Sequence, residues 1–471
     1  LLPGAKFTPL YDVANSCRFN DGDSPSLTKT HSSAGNRRTF TISAWIKRST
    51  LSYDYAYIFT AGTYNSTQMA QFKFDSNDQL NISGYASNGS QEFRVLTTQK
   101  FMDVSAWYHL LASVDTTQGT ASNRVKLYIN GTLYSGGFEE ASYPSEDYDS
   151  AFNSDIIHSV GIRNGTSSYY DGYMAELVMV DGSALAASSF GEFDEDSPQI
   201  FKPKDVSGLT AGTNGFYLDF EDSSNLGNDA FGGTDWTANN LSATDSVTDV
   251  PTNNFCTVNP LDQALGTFDI SEGNLKYERT SDTTNWKSAR GTIGIPNGGK
   301  WYWEMAKVGG SVDGGFGGIA TDVADLTQEV TGFWGFHDGA SGSNYTIYNT
   351  GYTDVGSSYN ISDDDIIQIA FDRDNNKLWV GRNNTWGVNG GTPVSPSDPA
   401  SGFLNIPTNV LPAFMIRGSF VCVVNFGQDS SFAGNLTGQN NSDGNGYGDF
   451  YYTPPSGYLA LCTKNVGSDG G

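Results

Sequence analysis

Residues 125–137 read VKLYINGTLYSGG, and residues 377–391 read KLWVGRNNTWGVNGG. Each is an alternating strand that runs into an Asn-led turn, the pattern of a tight β-hairpin. Upstream of the first lies SAWYHLLASVD, apolar from Trp107 to Val114 and closed by Asp115. Upstream of the second lies DDDIIQIAFDRDNN, apolar from Ile366 to Phe371 and closed by Asp372. Further out stand Trp-bearing strands, FTISAWIKRS around Trp45 and GKWYWEMAKV around Trp301 and Trp303. Each region then closes on an apolar strand, YMAELVMVDG from Tyr173 and SFVCVVNFGQ from Ser419. One frame written twice predicts two sandwiches of the same general architecture.

Composition supports this. A chain of 471 residues exceeds what one hydrophobic core fills. With 55 Gly, 13% aromatic and only 17% charged residues, no window sustains the i, i+3, i+4, i+7 apolar spacing of a helix. The expectation is an all-β chain with long polar loops. The net charge of −26 disfavours nucleic acid and anionic membranes as partners and keeps a glycine-rich β protein soluble. A minority of the carboxylates are left as candidate cation ligands. Cys17, Cys256, Cys422 and Cys462 form no CxxC pair, so they read as small buried hydrophobes and not as zinc ligands or a disulfide framework. LLPGAKFTPLYDV lacks the basic and apolar regions of a signal peptide, and it lacks an initiating Met, so some N-terminal processing or trimming is expected. No apolar run approaches the length of a membrane span. Asn-x-Ser/Thr sequons at Asn65, Asn81, Asn130, Asn164 and Asn360 fit chance in an Asn- and Ser-rich chain better than glycosylation.

The frame implies an N-terminal extended segment 1–15, a sandwich 16–191, a connector 192–265, a second sandwich 266–428 and a C-terminal extension 429–471. The connector is mostly turn chemistry but contains Trp236 and the strand-like Phe216 to Phe220, so it should pack on the sandwiches, its opening strand being a candidate for the second sheet.

Ala44-Trp45, Trp107-Tyr108-His109-Leu110, Ser113-Val114-Asp115, Val125 to Leu133 and Asp171 to Leu177 make the first unit resemble the laminin-G-like, concanavalin A-like jelly rolls. Lys300 to Glu304, Asp365 to Asp372, Lys377 to Arg382 and Pro412-Ala413-Phe414 make the second resemble SPRY domains, also bent jelly-roll sandwiches. The pairing, with SCRFNDGDSPSL early and PPSGYLALCTKN late, is similar to large virion proteins of tailed bacteriophages, particularly marine ones. That resemblance implies a virion location, a tail-fibre or surface-fibre role, other virion proteins and a host-surface glycan or receptor as partners, and a possible homotrimer. It implies neither nucleic-acid binding nor membrane insertion.

Concanavalin-type folds include glycoside hydrolases, which need two carboxylates about 5 Å apart or wider. Their Glu-x-Asp-x-Glu motif works because alternate strand residues share a face. Here Glu176 shares its face with Val178 and Val180 while Asp181 points away, and Glu304 stands alone and reads as an edge or rim residue. His31, His109, His158 and His337 form no HExxH pair, and His109 reads as a structural histidine. Neither a Gly-x-Ser-x-Gly elbow nor a phosphate loop occurs. The expectation is a non-enzyme, with a capsid decoration or adaptor protein and a polysaccharide-degrading hydrolase as alternatives.

Asp21 and Asp23, Asp219 and Asp222, and Asp363 to Asp365 are short acidic clusters that could offer oxygens to Ca²⁺, each also readable as a solvated turn. The laminin-G-like resemblance implies one calcium at the sandwich rim. Tyr-rich polar loops at 49–67, 139–152, 165–173 and 331–354 offer flat stacking faces and directional hydrogen bonds suited to sugars. Tyr53, Tyr55, Tyr169, Tyr170 and Trp334 are the candidate recognition residues, whereas Trp45, Trp107, Trp301 and Trp303 belong to cores.

Overall fold

In the computed structural model the described residues are 11–470, apart from 53–55, 265–267, 280–285, 311–313, 328–330, 339–343, 349–350, 355–360, 390–391 and 403–405. The chain forms two compact units, Leu1–Thr252 and Asn253–Gly471. Both are built almost wholly from antiparallel strands, and each is a pair of sheets facing across an apolar core. The one α-helix among the described residues is Thr463–Gly470.

The opening hairpin forms as expected. Trp107–Asp115 pairs with Val125–Ile129, which turns through Asn130 (φ 45°) and Gly131 (φ 79°) into Thr132–Leu133. Positive φ at both central turn residues matches the right-handed strand twist. In the second unit Ile366–Asp372 pairs with Lys377–Arg382, which turns through Asn383 (φ 47°) and Asn384 (φ 60°) into Thr385–Trp386.

In the first unit one sheet is centred on Trp107–Asp115, Thr39–Arg48 and Gly172–Asp181. The other carries Gln91–Lys100, Gln79–Tyr85, Met69–Phe74 and Ala56–Ala61 as consecutive neighbours, continuing into Ile157–Val160 and Ser26–Thr30. Phe72, Phe74, Leu80, Ile82 and Val95 point inward to meet Ile42, Ala44, Leu110 and Leu127. The segment 192–252 completes this unit. Phe216–Leu218 pairs with Gly172–Asp181, Thr237–Asn239 with Ser26–Thr30, and Ser246–Val247 with Ser16–Phe19. Trp236 enters the core 4.7 Å from the Phe216 ring. The same segment covers the outer face of the first sheet: Phe201 stacks on Trp45 at 6.0 Å, and buried Asp249 receives Lys47 Nζ at 2.7 Å and Trp107 Nε1 at 3.1 Å.

The second unit repeats the device. Its 7-stranded sheet runs from Val258–Gln263 through Val410–Ile416 and Gly315–Thr321, and its 8-stranded sheet is centred on Lys300–Gly309. Trp301 and Trp303 face the core, and Tyr302 faces the other way, under Phe450 and Tyr458 of the C-terminal segment. Leu459–Ala460 adds to Lys300–Gly309 in parallel. All four cysteines are buried, and none forms a disulfide. No helix among the described residues is long and apolar enough to cross a membrane.

Candidate functional site

The alternation of Met69–Phe74 and Gln79–Tyr85 sends Ala70, Phe72, Leu80 and Ile82 inward and leaves Met69, Gln71, Lys73, Asn81, Ser83 and Tyr85 on the outer face. Register places Gln71 opposite Ser83 and Lys73 opposite Asn81. An outward polar row normally meets water. Here Gln71 is 1%, Lys73 4%, Asn81 1% and Ser83 0% exposed.

Two of the Tyr-rich loops close over one end of this row. The Tyr64 N–H donates to the Asn164 carbonyl at 3.0 Å, joining the 49–67 loop to the chain entering 165–173. Thr67 Oγ1 accepts the Thr63 N–H at 2.8 Å, and Asn65 takes a left-handed φ of 55°, which folds the tip into a tight turn. The Arg163 guanidinium lies 4.1 Å from the Tyr64 ring centre and 5.2 Å from that of Tyr57, and Lys73 Nζ lies 4.9 Å from Tyr57. Between them is a cavity of about 280 Å³ lined by Tyr64, Gln71, Lys73, Tyr85 and Arg163 among others.

Of the candidates named from sequence, Tyr53 and Tyr55 lie outside the described residues. Tyr169 is half-buried and bridges to Ile162, beside Arg163. For Tyr170 a loop-recognition role is corrected. It is 0% exposed, its ring meets Phe19 edge-on at 6.0 Å, and its hydroxyl donates to the Lys47 carbonyl at 2.9 Å, so no face is left for a ligand. Trp334 is corrected likewise: it lies on the strand Phe333–Asp338 opposite Ile319, is 3% exposed, and packs in the second core, reaching only the wall of a cavity of about 480 Å³ beside Val323 and Pro407. Gly332 and Gly335, on either side of Phe333-Trp334, give the stretch the look of a loop, but its alternation is that of a strand. Gln71 and Arg163 were missed, because an outward strand glutamine and a loop arginine look solvated until the Tyr64–Asn164 junction closes beside them.

The acidic clusters are turn acceptors. Asp23 accepts from Asn20 Nδ2 at 2.9 Å, Asp222 from the N–H and hydroxyl of Ser224, and Asp219 from the Glu221 N–H. Asp21 opens the same short 3₁₀ turn as Asp23. Asp363 pairs with Lys307, and Asp365 with Arg382. Among the described residues no three His, Cys, Asp or Glu side chains gather as a metal site, so these side chains do not assemble the roughly six to eight oxygens of a Ca²⁺ shell.

Two buried carboxylates stand apart from these. Glu176 sits on a bulge of Gly172–Asp181, with φ 51°, which breaks the face assignment made from simple alternation. It accepts from Tyr217 Oη at 2.8 Å and Tyr11 Oη at 3.1 Å, and burial, with Asp219 and Glu221 nearby, pushes its pKa up to about 7. Glu304, read from sequence as a rim residue, is instead 0% exposed, because the C-terminal segment covers its face of the sheet. It accepts from Tyr302 Oη and from the backbone N–H groups of Tyr451 and Tyr452, each at 2.8 Å, and burial raises it to about 7. His109 is wholly buried against Ser43 Oγ at 2.9 Å, and burial lowers its pKa to about 3.

Residues 20–188 match the Laminin_G_3 family model, the Concanavalin A-like lectin/glucanases superfamily. The first unit carries a concanavalin A-like fold. Among solved structures, the native heptameric SAP-like pentraxin of Limulus polyphemus is 18% identical over 37% of this chain and 80% of its own, with a TM-score of 0.27. The SPRY domain of human HERC1 is 16% identical over 36% of this chain and 96% of its own, TM-score 0.26. The TRIM65 PSpry domain is 12% identical over 36% and 92%, TM-score 0.29. No curated protein matches.

Proposed function

We propose that this chain is a non-enzymatic recognition protein that binds carbohydrate through the outer face of its first unit. The observation that carries this reading is the junction of two Tyr-rich loops, at Tyr64 and Asn164, over a polar cavity on a concanavalin A-like sheet. Tyr64, 43% exposed beside the Arg163 guanidinium, offers a ring face at the rim, and amide and hydroxyl groups lie behind it. The sequence resemblance to phage virion proteins supports placing this activity on a tail fibre or surface fibre, with other virion proteins as partners and a homotrimer as the assembly. The SPRY-like second unit would then serve contacts within the particle. A glycan array probed with the folded chain tests the recognition half: selective binding that weakens several-fold in Tyr64→Ala is expected, and uniform silence overturns it. Mass spectrometry of purified particles tests the virion half.

One observation favours a second reading, a polysaccharide hydrolase. Glu176 holds its proton to about pH 7 and lies one step beyond the last register pair that links its strand to Phe216–Leu218, beside Asp219. Release of reducing sugar, abolished in Glu176→Gln, would favour that reading over simple binding.

A further inference from the structure

We infer that the cavity between Tyr64 and Gln71 is a subsite for a carboxylate-bearing sugar residue, a uronic acid unit of an acidic polysaccharide. This rests on the glycan-binding reading above and specifies its ligand. Three observations converge on it.

The first is charge. The protein carries 52 acidic against 26 basic residues, yet no Asp or Glu lines this cavity while Lys73 and Arg163 both do. A local reversal of sign in so acidic a chain favours an anionic guest and repels it elsewhere on the surface. Arg163 makes no ion pair among the described residues. Its guanidinium is held between the Tyr57 and Tyr64 rings, which fixes the plane of the fork. A planar, pre-oriented guanidinium suits the two oxygens of a carboxylate.

The second is unmet hydrogen bonding. The Gln71 side-chain carbonyl, both polar atoms of the Asn81 side chain, the Ser83 hydroxyl and Arg163 Nε are buried without a hydrogen-bond partner. Gln71 lines the cavity, and Ser83 stands directly opposite it in the strand pair. Buried polar groups are nearly always satisfied, so the two on the cavity wall, the Gln71 carbonyl and Arg163 Nε, call for an occupant with both donors and acceptors. Sugar hydroxyls are both.

The third is size. About 280 Å³ lies at the lower edge of the roughly 300–1,000 Å³ of small-molecule sites, which leaves room for one ring and not for an extended chain. The ring would enter past Tyr64, with its carboxylate toward Arg163 and its hydroxyls toward Gln71.

Titration calorimetry of the full chain with oligo-galacturonate and oligo-glucuronate, against the matching neutral and sulfated oligosaccharides, tests this. Uronates should bind at least about tenfold tighter than their neutral counterparts. Binding should weaken as salt rises from about 0.15 M to about 0.5 M. Arg163→Ala should lose at least about tenfold and Arg163→Lys less, and Gln71→Glu should repel the uronate. If Arg163→Ala fails to fold by circular dichroism, Arg163→Lys and the salt dependence decide. Equal binding of neutral and acidic sugars, preference for the sulfated ligand, or uronate binding untouched by the three variants overturns the inference while leaving the glycan-binding reading intact. Silence toward every saccharide overturns both and assigns the cavity to ordered water.

Discussion

Glu304 accepts the backbone N–H of Tyr452 at 2.8 Å across 148 residues of chain. With the Tyr451 N–H on its other oxygen, this single carboxylate ties the C-terminal segment onto the sheet it covers. Glu304→Ala leaves two backbone donors and the Tyr302 hydroxyl without their acceptor. A loss on the order of 3 kcal/mol from the second unit is expected. Glu304→Gln should cost less, since one acceptor oxygen remains. Guanidinium unfolding followed by tryptophan fluorescence measures the loss, and faster proteolysis within 429–471 locates it. A wild-type midpoint in Glu304→Ala would sink the idea.

Stability should respond to pH in two opposed ways. Glu176 ionises near 4.5 when unfolded and near 7 when folded, so the folded state holds more protons in between. Its stabilising effect is full below about pH 4.5 and is lost as pH rises to about 7. His109 and His158, at about 3 in the fold against 6.5 unfolded, work the other way: stability falls as pH drops below about 6.5. Glu176→Gln keeps an oxygen for Tyr11 and Tyr217 but removes the carboxylate. The variant should exceed the wild type by about 1–3 kcal/mol at pH 8 and lose that advantage at pH 4.5. Thermal melts across this range check it, and parallel curves would refute the assignment.

Gly131 is required twice over. Its φ is 79°, and a Cβ there would lie 2.2 Å from Phe201 Cδ2. Gly131→Ala should cost about 1–2 kcal/mol in backbone strain, with roughly another 1 kcal/mol for displacing Phe201 from its rotamer. Because Phe201 stacks on Trp45, the same variant should shift tryptophan emission. A melt lowered without any spectral change would separate the two causes.

The first unit should need its trailing segment. Trp236 is 2% exposed among Phe59 and Phe216, and removing such a ring costs about 3–5 kcal/mol. A fragment of residues 1–252 is expected to melt cooperatively. A fragment ending at 191 also loses Phe201 and Asp249, which uncovers the apolar outer face around Trp45 and strips Lys47 of its carboxylate, and should aggregate or remain molten. Calorimetry of the two fragments decides.

Much of the fold was legible because the relevant signals are local. Asn130-Gly131 and Asn383-Asn384 specify hairpin turns by their own backbone preferences, and the runs ending at Asp115 and Asp372 became the strands their alternation described. The candidate site was legible only in part. Tyrosine-rich loops pointed to the region around 49–67 and 165–173, but Tyr170 turned inward and Trp334 proved to be a strand residue.

Period, turn preference and charge are properties of neighbouring residues, and they sufficed to read the chain as all-β, twice a sandwich, acidic, and without the compact motifs of zinc, phosphate-loop or serine-hydrolase chemistry. It took the three-dimensional fold to show that 192–252 completes the first unit, that Glu304 is a buried tie and not a rim residue, and that Gln71 and Arg163 line one polar cavity, with Asn81 and Ser83 buried in the same outer row as Gln71. A strand's alternation says which residues face outward. Whether outward means water depends on which distant loop folds across that face, and no local pattern carries that information.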